Sequence, residues 1–325
     1  MRVFVAGATG VMGRQLMPRL LEAGHRVAGM TRTESKRAEL WDLGVQPVVA
    51  DALDPEQVAA AVAEAQPDVI VHELTAIGVF DPRNFDRAFA ATNRLRTEGT
   101  DHLLSAGQAV GVRRFVAQSY AAWPYARIGG PVKSEDDPLD ATTLPNSAET
   151  FAAMTHLEDA VTEFGGIALR YGLFYGAAND GLIEPVRKRQ FPIVGDGGGI
   201  MPFIHLDDAA AATVLALEHD TPAIFNIVDD DPAPAREWLP AMAEALGAKP
   251  PRKFPAWLAR LFAGKANVVL ATEARGASNA KAKRELGWTP RYPSWRQGFA
   301  AAYSAVSVID RPERRRAART SSSRV

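Results

Sequence analysis

The stretch Arg2-Val3-Phe4-Val5-Ala6-Gly7-Ala8-Thr9-Gly10-Val11-Met12-Gly13 decides the fold. Arg2 to Ala6 reads as a buried strand. Gly7, Gly10 and Gly13 follow it, and Leu16 and Leu20 continue at helical spacing toward Gly24 as a stop. In that order, strand, glycine turn and helix let the backbone approach a pyrophosphate closely, while the helix N-terminus supplies free N–H donors and a partial positive charge. A glycine triplet alone is weak; between a strand and a helix it predicts a dinucleotide site.

Working outward, further short apolar runs lie at Arg26–Thr31, Val45–Ala50, Asp68–His72, Arg114–Ala117 and Gly166–Arg170. Stretches with helical spacing separate them. Asp54-Pro55-Glu56-Gln57 is a helix start, with an acidic cap and proline at the first helical position. Strands alternating with helices predict an α/β fold: a Rossmann-type, doubly wound parallel sheet covered on both faces. After Arg170 the rhythm becomes irregular, with a strand at Phe225–Val228 and helices at Arg236–Leu246, Ala256–Phe262 and within Ser278–Tyr303. The expected organisation is a dinucleotide-binding domain over residues 1–170 plus about 205–228. A smaller C-terminal α/β substrate domain takes 171–204 and 229–305. The remainder, 306–325, is rich in Arg and Ser and reads as a disordered basic tail.

Composition narrows the function. The chain has 325 residues, 23% of them charged, and a formal net charge of -1. That balance gives no reason to expect nucleic acid or membrane as a partner. No apolar run reaches the roughly 20 residues of a spanning helix. The N-terminus lacks a secretory pattern, so a cytoplasmic location is expected. With no cysteine, disulfides, thiolate metal sites and cysteine nucleophiles are excluded. The six histidines show no His-Glu-x-x-His spacing, and no Gly-x-Ser-x-Gly elbow is present, so no metal site or serine-hydrolase site is expected.

The Gly-x-x-Gly-x-x-Gly spacing resembles the short-chain dehydrogenase/reductase superfamily. Ala91-Thr92-Asn93 with Gly99-Thr100, Arg170 to Gly176, Gly195-Asp196-Gly197, Phe203 to Asp208, and Leu286-Gly287-Trp288-Thr289-Pro290 narrow the resemblance to the extended, epimerase/dehydratase-like branch. It runs from about residue 2 to about 300. It implies cofactor contacts at Gly7, Thr9, Gly10, Val11, Met12, Gly13, Thr31 and Arg32. It adds Asp51 and Ala52 near the adenine, and Leu74, Asn93 and Gln118 farther along. Members of the branch often dimerise, which leaves a homodimer open.

Cofactor choice is argued locally. An NAD site usually ends the second strand in Asp or Glu, which holds the ribose 2′-hydroxyl. Here the strand ends Gly29-Met30-Thr31-Arg32-Thr33, with no carboxylate until Glu34. Arg32 stands where a guanidinium could pair with a 2′-phosphate, and Lys36 and Arg37 add positive charge. NADP(H) is therefore expected, with NAD(H) the alternative if Arg32 is only a solvated loop residue.

The family's Tyr-x-x-x-Lys pair is missing. The nearest alignment places Phe151 and Thr155 at those positions, and no Tyr or Lys occurs between residues 134 and 165. Phenylalanine cannot transfer a proton. Replacement candidates are Ser119 and Tyr120, expected just after the fifth strand, Tyr125 in Trp123-Pro124-Tyr125-Ala126, and His156, whose imidazole is a residue type suited to acid–base work. Each also has a plain structural reading, as does Arg170. Three functions follow. The first is an NADP(H)-dependent oxidoreductase reducing a carbonyl or conjugated C=C of a small organic substrate. The second is a non-catalytic nucleotide sensor, and the third a sugar-nucleotide epimerase or dehydratase.

Overall fold

The protein is described as a computed structural model covering residues 1–77, 85–122, 124–142, 144–176 and 181–309, with side chains through 303. The first half contains β1 (Arg2–Ala6), α1 (Val11–Glu22), β2 (Arg26–Thr31), α2 (Arg37–Asp42), β3 (Gln46–Val49), α3 (Pro55–Ala65), β4 (Val69–His72), α4 (Phe85–Arg94), α5 (Thr100–Ala109), β5 (Arg114–Tyr120), β6 (Val132–Lys133) and α6 (Ala148–Glu163). The second contains β7 (Ile167–Tyr171), β8 (Leu173–Tyr175), α7 (Ile183–Arg187), β9 (Ile193–Val194), β10 (Ile200–Met201), β11 (Phe203–His205), α8 (Leu206–Ala216), β12 (Ala223–Ile227), β13 (Ala233–Pro234), α9 (Ala235–Ala245), β14 (Lys253–Phe254), α10 (Ala256–Glu273), β15 (Gly276–Ala277), α11 (Ala280–Leu286) and α12 (Trp295–Ile309). The basic tail lies outside the described residues from position 310 on.

Seven strands form one sheet in the order β12-β7-β5-β4-β1-β2-β3, every pair parallel. The chain winds outward from β1 in both directions, the doubly wound arrangement expected from the alternation of elements. Alternating side chains fill two cores. On one face Val3, Val5, Leu16, Leu20, Leu169 and Ala212 pack beneath α1 and α8. On the other, Phe4, Val62, Ile70, Leu103, Phe115 and Leu157 pack beneath α3, α5 and α6. The Asp54 carboxylate caps α3 by accepting from the backbone N–H of Glu56 and Gln57 at 3.0 and 3.1 Å.

Two elements differ from their sequence expectation. The fifth strand continues past Ala117 to Tyr120, because the parallel ladder to β7 runs on through Ser119↔Arg170 and Tyr120↔Tyr171. Ser119 and Tyr120 therefore stand on the strand rather than after it. The helix expected at 256–262 extends to Glu273, interrupted at Gly264, whose φ of 82° breaks the helical path before it resumes. A third core gathers Tyr175, Phe203, Trp238, Trp295, Phe299 and Tyr303 near β8, α9 and α12. Phe203 and Trp295 are thus packing residues, whereas Trp257 is exposed.

Candidate active site

The glycine loop is shaped for close approach. Gly7 has φ 98°, and a Cβ there would lie 2.7 Å from the Glu73 carbonyl oxygen. A Cβ on Gly13 would lie 2.4 Å from the Gly7 carbonyl oxygen, so any larger residue would push the first turn of α1 out of the loop. Gly10 is the N-cap of α1 and offers no side chain to its first turn. Val11 is exposed at the rim, and Met12 is buried beneath it. These features fit a dinucleotide pyrophosphate, which supplies the acceptors that the helix start lacks.

At the end of β2 the Thr31 and Thr9 hydroxyls lie 3.4 Å apart, and the Lys36 ammonium reaches Thr9 Oγ1 at 3.5 Å. Arg37 is paired with Glu34 at 3.1 Å, and Arg14 with Glu39 at 2.6 Å. Arg32 is exposed and has no hydrogen-bond or ion-pair partner among the described residues. Arg32 and Lys36 thus form the uncommitted positive charge at this end of the loop. After β3, Asp51 Oδ1 accepts from the Leu53 N–H at 3.0 Å, and its own N–H bonds Gln57, which fixes the turn carrying the buried Ala52.

Beyond the loop, Leu74 N–H donates to His72 Nδ1 at 3.2 Å. Burial holds the His72 imidazole neutral, with a pKa lowered to about 4. Asn93 on α4 donates to Thr150 Oγ1 at 3.0 Å, tying α4 to α6, while its Oδ1 is buried without a hydrogen-bond partner among the described residues. Gln118 is half-buried on β5.

Ser119 and Tyr125 belong to one buried network. Ser119 Oγ donates to Glu158 Oε1 at 2.6 Å. Arg170 grips both Glu158 oxygens, from Nε at 2.8 Å and Nη2 at 2.6 Å, and its Nη1 donates to the Tyr125 hydroxyl at 3.0 Å. That hydroxyl donates to Asn226 Oδ1 at 2.6 Å. Burial works to lower the Arg170 pKa, but the bonds to Glu158 outweigh it and hold the guanidinium firmly charged. The Ser119 hydroxyl donates to Glu158, and the Tyr125 hydroxyl both donates and accepts, so the arrangement stabilises the β5–β7–α6 junction.

Tyr120 is different. Its ring packs with Phe85, Phe89, Leu144, Phe151 and Met154 and against Ala266 and Val269 of α10. Its hydroxyl makes no hydrogen bond with any described residue, and burial pushes its pKa up to about 12, countered by Arg96. Arg96 lies on a widened π-turn, Leu95–Gly99, that joins α4 to α5. Such turns often mark functional positions. Arg96 is 5% exposed and makes no hydrogen bond with any described residue. Burial lowers its pKa to about 10, with Glu158 and Tyr120 opposing the fall.

The other candidates stand apart. His156 pairs with Asp101 at 2.8 Å on the outer, exposed side of α5 and α6. His205 caps α8 by accepting from the Asp207 N–H at 3.1 Å, and Asp208 accepts from the backbone N–H of Arg291 and Tyr292. No group of three metal-ligating side chains occurs among the described residues. Sequence reasoning missed Arg96, Glu158, Asn226 and Glu73. None sits in a spacing that signals chemistry, and each gains its role only through strands and helices far apart in the chain.

Comparison with known proteins adds four findings. The NAD dependent epimerase/dehydratase family model matches residues 3–228. The 3-diazoavenalumate denitrifying reductase of a Streptomyces species is 45% identical over 310 residues, 92% of this chain and 99% of that protein. A 2-alkyl-3-oxoalkanoate reductase of Stenotrophomonas maltophilia is 28% identical over 268 residues, 76% of each chain. Among solved structures, the UDP-glucose 4-epimerase of Thermotoga maritima has a TM-score of 0.75 at 19% identity, covering 95% of this chain and 100% of that one, a likeness of fold.

Proposed function

Because this chain belongs to the NAD dependent epimerase/dehydratase family, and is an NAD(P)-dependent oxidoreductase of the extended short-chain kind, we propose that it is an NADP(H)-dependent reductase of a small, conjugated organic substrate. Gly7, Thr9, Gly10 and Gly13 would hold the pyrophosphate, and Arg32 with Lys36 the 2′-phosphate. The bound dinucleotide supplies a hydride to an electron-poor carbon.

The observation that carries the reading is the Tyr120 hydroxyl. Ser119 and Tyr125 spend their protons on Glu158 and Asn226 inside the protein, whereas Tyr120 has no hydrogen-bond partner among the described residues and lines an apolar, aromatic wall. Its phenol would donate the proton to a carbonyl oxygen or to the carbon of a conjugated double bond. A group with a pKa near 12 is a poor free acid but a competent donor to an oxygen that is becoming an alkoxide or enolate.

A second acceptor class is favoured by Phe151 and Thr155 at the positions of the usual proton-relay pair. An aromatic diazo group, named in the denitrifying relative, needs no proton when hydride replaces it. The C–N bonding pair leaves with dinitrogen as the new C–H bond forms. Phe151 then costs nothing. The test is NADPH oxidation with a carbonyl, an enone and an aryl diazo acceptor, by the native chain and by Tyr120→Phe. Turnover of a carbonyl or enone that Tyr120→Phe abolishes supports the tyrosine donor. Turnover of the diazo acceptor alone, unaffected by Tyr120→Phe, supports the proton-free reaction. No turnover of any of them would refute the reductase reading.

A further inference from the structure

A buried arginine without a partner is costly, because a cation taken out of water needs a counter-charge or hydrogen bonds to replace its hydration. Arg96 is 5% exposed and makes no hydrogen bond with any described residue. The nearby Glu158 carboxylate supports this charge only from a distance: both its oxygens are bonded to Arg170, and one of them also to Ser119. The pair Glu158–Arg170 cancels itself, which leaves one positive charge over. His72, also within its field, is held neutral by burial.

Beside that charge lies a second unused donor, the Tyr120 hydroxyl. Tyr120 ends β5, and Arg96 follows Leu95, whose carbonyl bonds His72 at the end of β4; the Arg32–Lys36 cluster at the end of β2 would face the other half of a dinucleotide. The wall around Tyr120 is aromatic, with Phe85 and Phe89 stacked at 4.7 Å. A planar, apolar body bearing one negative charge matches these surroundings.

We infer that Arg96 is the seat of a substrate carboxylate beside the Tyr120 wall, so that the substrate is an anionic aromatic or conjugated acid. The inference rests on the reductase reading for the word substrate, but the seat itself binds without turnover. Arg96 offers the fork of N–H donors that suits a carboxylate, which leaves the Tyr120 hydroxyl for the reacting end of the substrate. Arg96 lies on the π-turn and is buried, where it makes no hydrogen bond with any described residue.

The probe is 4-hydroxycinnamate, with its methyl ester as the neutral shape control, titrated calorimetrically into the full chain with and without saturating NADP⁺. The acid is expected to bind about 10- to 100-fold more tightly than the ester, the range of a charge-assisted pair. Arg96→Gln should make the two affinities equal without lowering the thermal midpoint, because it removes an uncompensated buried charge. Arg96→Lys should keep part of the preference. Equal affinities in the native chain, absence of acid binding at about 10 mM, a preference that survives Arg96→Gln, or a large loss of thermal stability in Arg96→Gln would each overturn the inference. A chain that holds the acid but oxidises no NADPH would refute the reductase reading and leave the seat standing; turnover of neutral acceptors only would do the reverse.

Discussion

The Glu158 carboxylate and the Arg170 guanidinium meet in a two-point pair, at 2.8 and 2.6 Å, with each side chain about 95% or more removed from solvent. Ser119 and Tyr125 complete the arrangement from β5 and the loop after it. This pair explains why two of the three hydroxyls near the end of β5 are unavailable for chemistry and one is not.

Breaking the pair from one side leaves a buried charge uncompensated. Glu158→Gln and Arg170→Met should each lose about 3–5 kcal/mol of unfolding free energy. The double replacement Glu158→Leu with Arg170→Met should recover a substantial part of it. Urea unfolding followed by tryptophan fluorescence reads this. Additive losses in the double variant would show that the two residues act separately.

The two tyrosines should separate by phenotype. Tyr120→Phe is expected to keep the thermal midpoint and, with a carbonyl or enone acceptor, to lower kcat by about 100- to 10,000-fold, the usual worth of a general acid. Tyr125→Phe strips a partner from Asn226 and Arg170, so it should cost about 1–3 kcal/mol of stability with a smaller effect on rate. Thermal melts and NADPH oxidation on the same preparations check both. The opposite pattern would make Tyr125 the donor.

Cofactor preference should reside in Arg32 and Lys36. Arg32→Ala is expected to weaken NADPH about 10- to 100-fold, as loss of a charge-assisted contact does, and to leave NADH affinity unchanged. Lys36→Ala should do the same to a lesser degree. Fluorescence titration of the bound nicotinamide measures this. An unchanged NADPH/NADH ratio in both variants would place the phosphate elsewhere.

Glu73 gives a pH dependence. Its carboxyl is buried, accepts from the Tyr171 hydroxyl at 3.0 Å, and has one oxygen with no hydrogen-bond partner among the described residues. Burial pushes its pKa up to about 8 from 4.5, with the tyrosine bond opposing. Between those values the folded chain holds a proton that the unfolded chain releases. The Glu73 contribution to stability is therefore complete below pH 4.5 and is lost as pH rises through 8. Glu73→Gln should flatten that part of the profile, raising the midpoint at pH 8 more than at pH 5. A parallel shift at both pH values would contradict it. Asp229, raised to about 8 by burial, contributes in the same sense, so Asp229→Asn is the companion control.

The sheet and the glycine loop were legible in the sequence because they are set by local pattern. Val3 to Ala6 is apolar throughout, as a strand buried on both faces must be, and Gly7 and Gly13 sit where a Cβ collides with backbone. The extension of β5 to Tyr120 was not legible: it depends on its partner, Arg170 to Tyr171, some fifty residues away. Nor was the division of labour among the hydroxyls. Ser119, Tyr120 and Tyr125 look equally available in the chain, and only the placement of Glu158 and Asn226 engages two of them. Arg96 carried no signal, because an arginine on a polar helix reads as solvated until a widened turn faces it inward.

A π-turn holds one residue more than the α-turn it replaces, so the stretches before and after Leu95–Gly99 are out of step by about 100°. Deleting one residue there would restore a continuous helix and rotate Phe85–Arg94 against Thr100–Ala109. Phe85 and Phe89 would leave the Tyr120 wall, while β1, the glycine loop and the seven-stranded sheet stayed as they are. A one-residue change of length at this turn would thus remake the Tyr120 wall in a single step and leave the glycine loop untouched, which a series of point substitutions could not do.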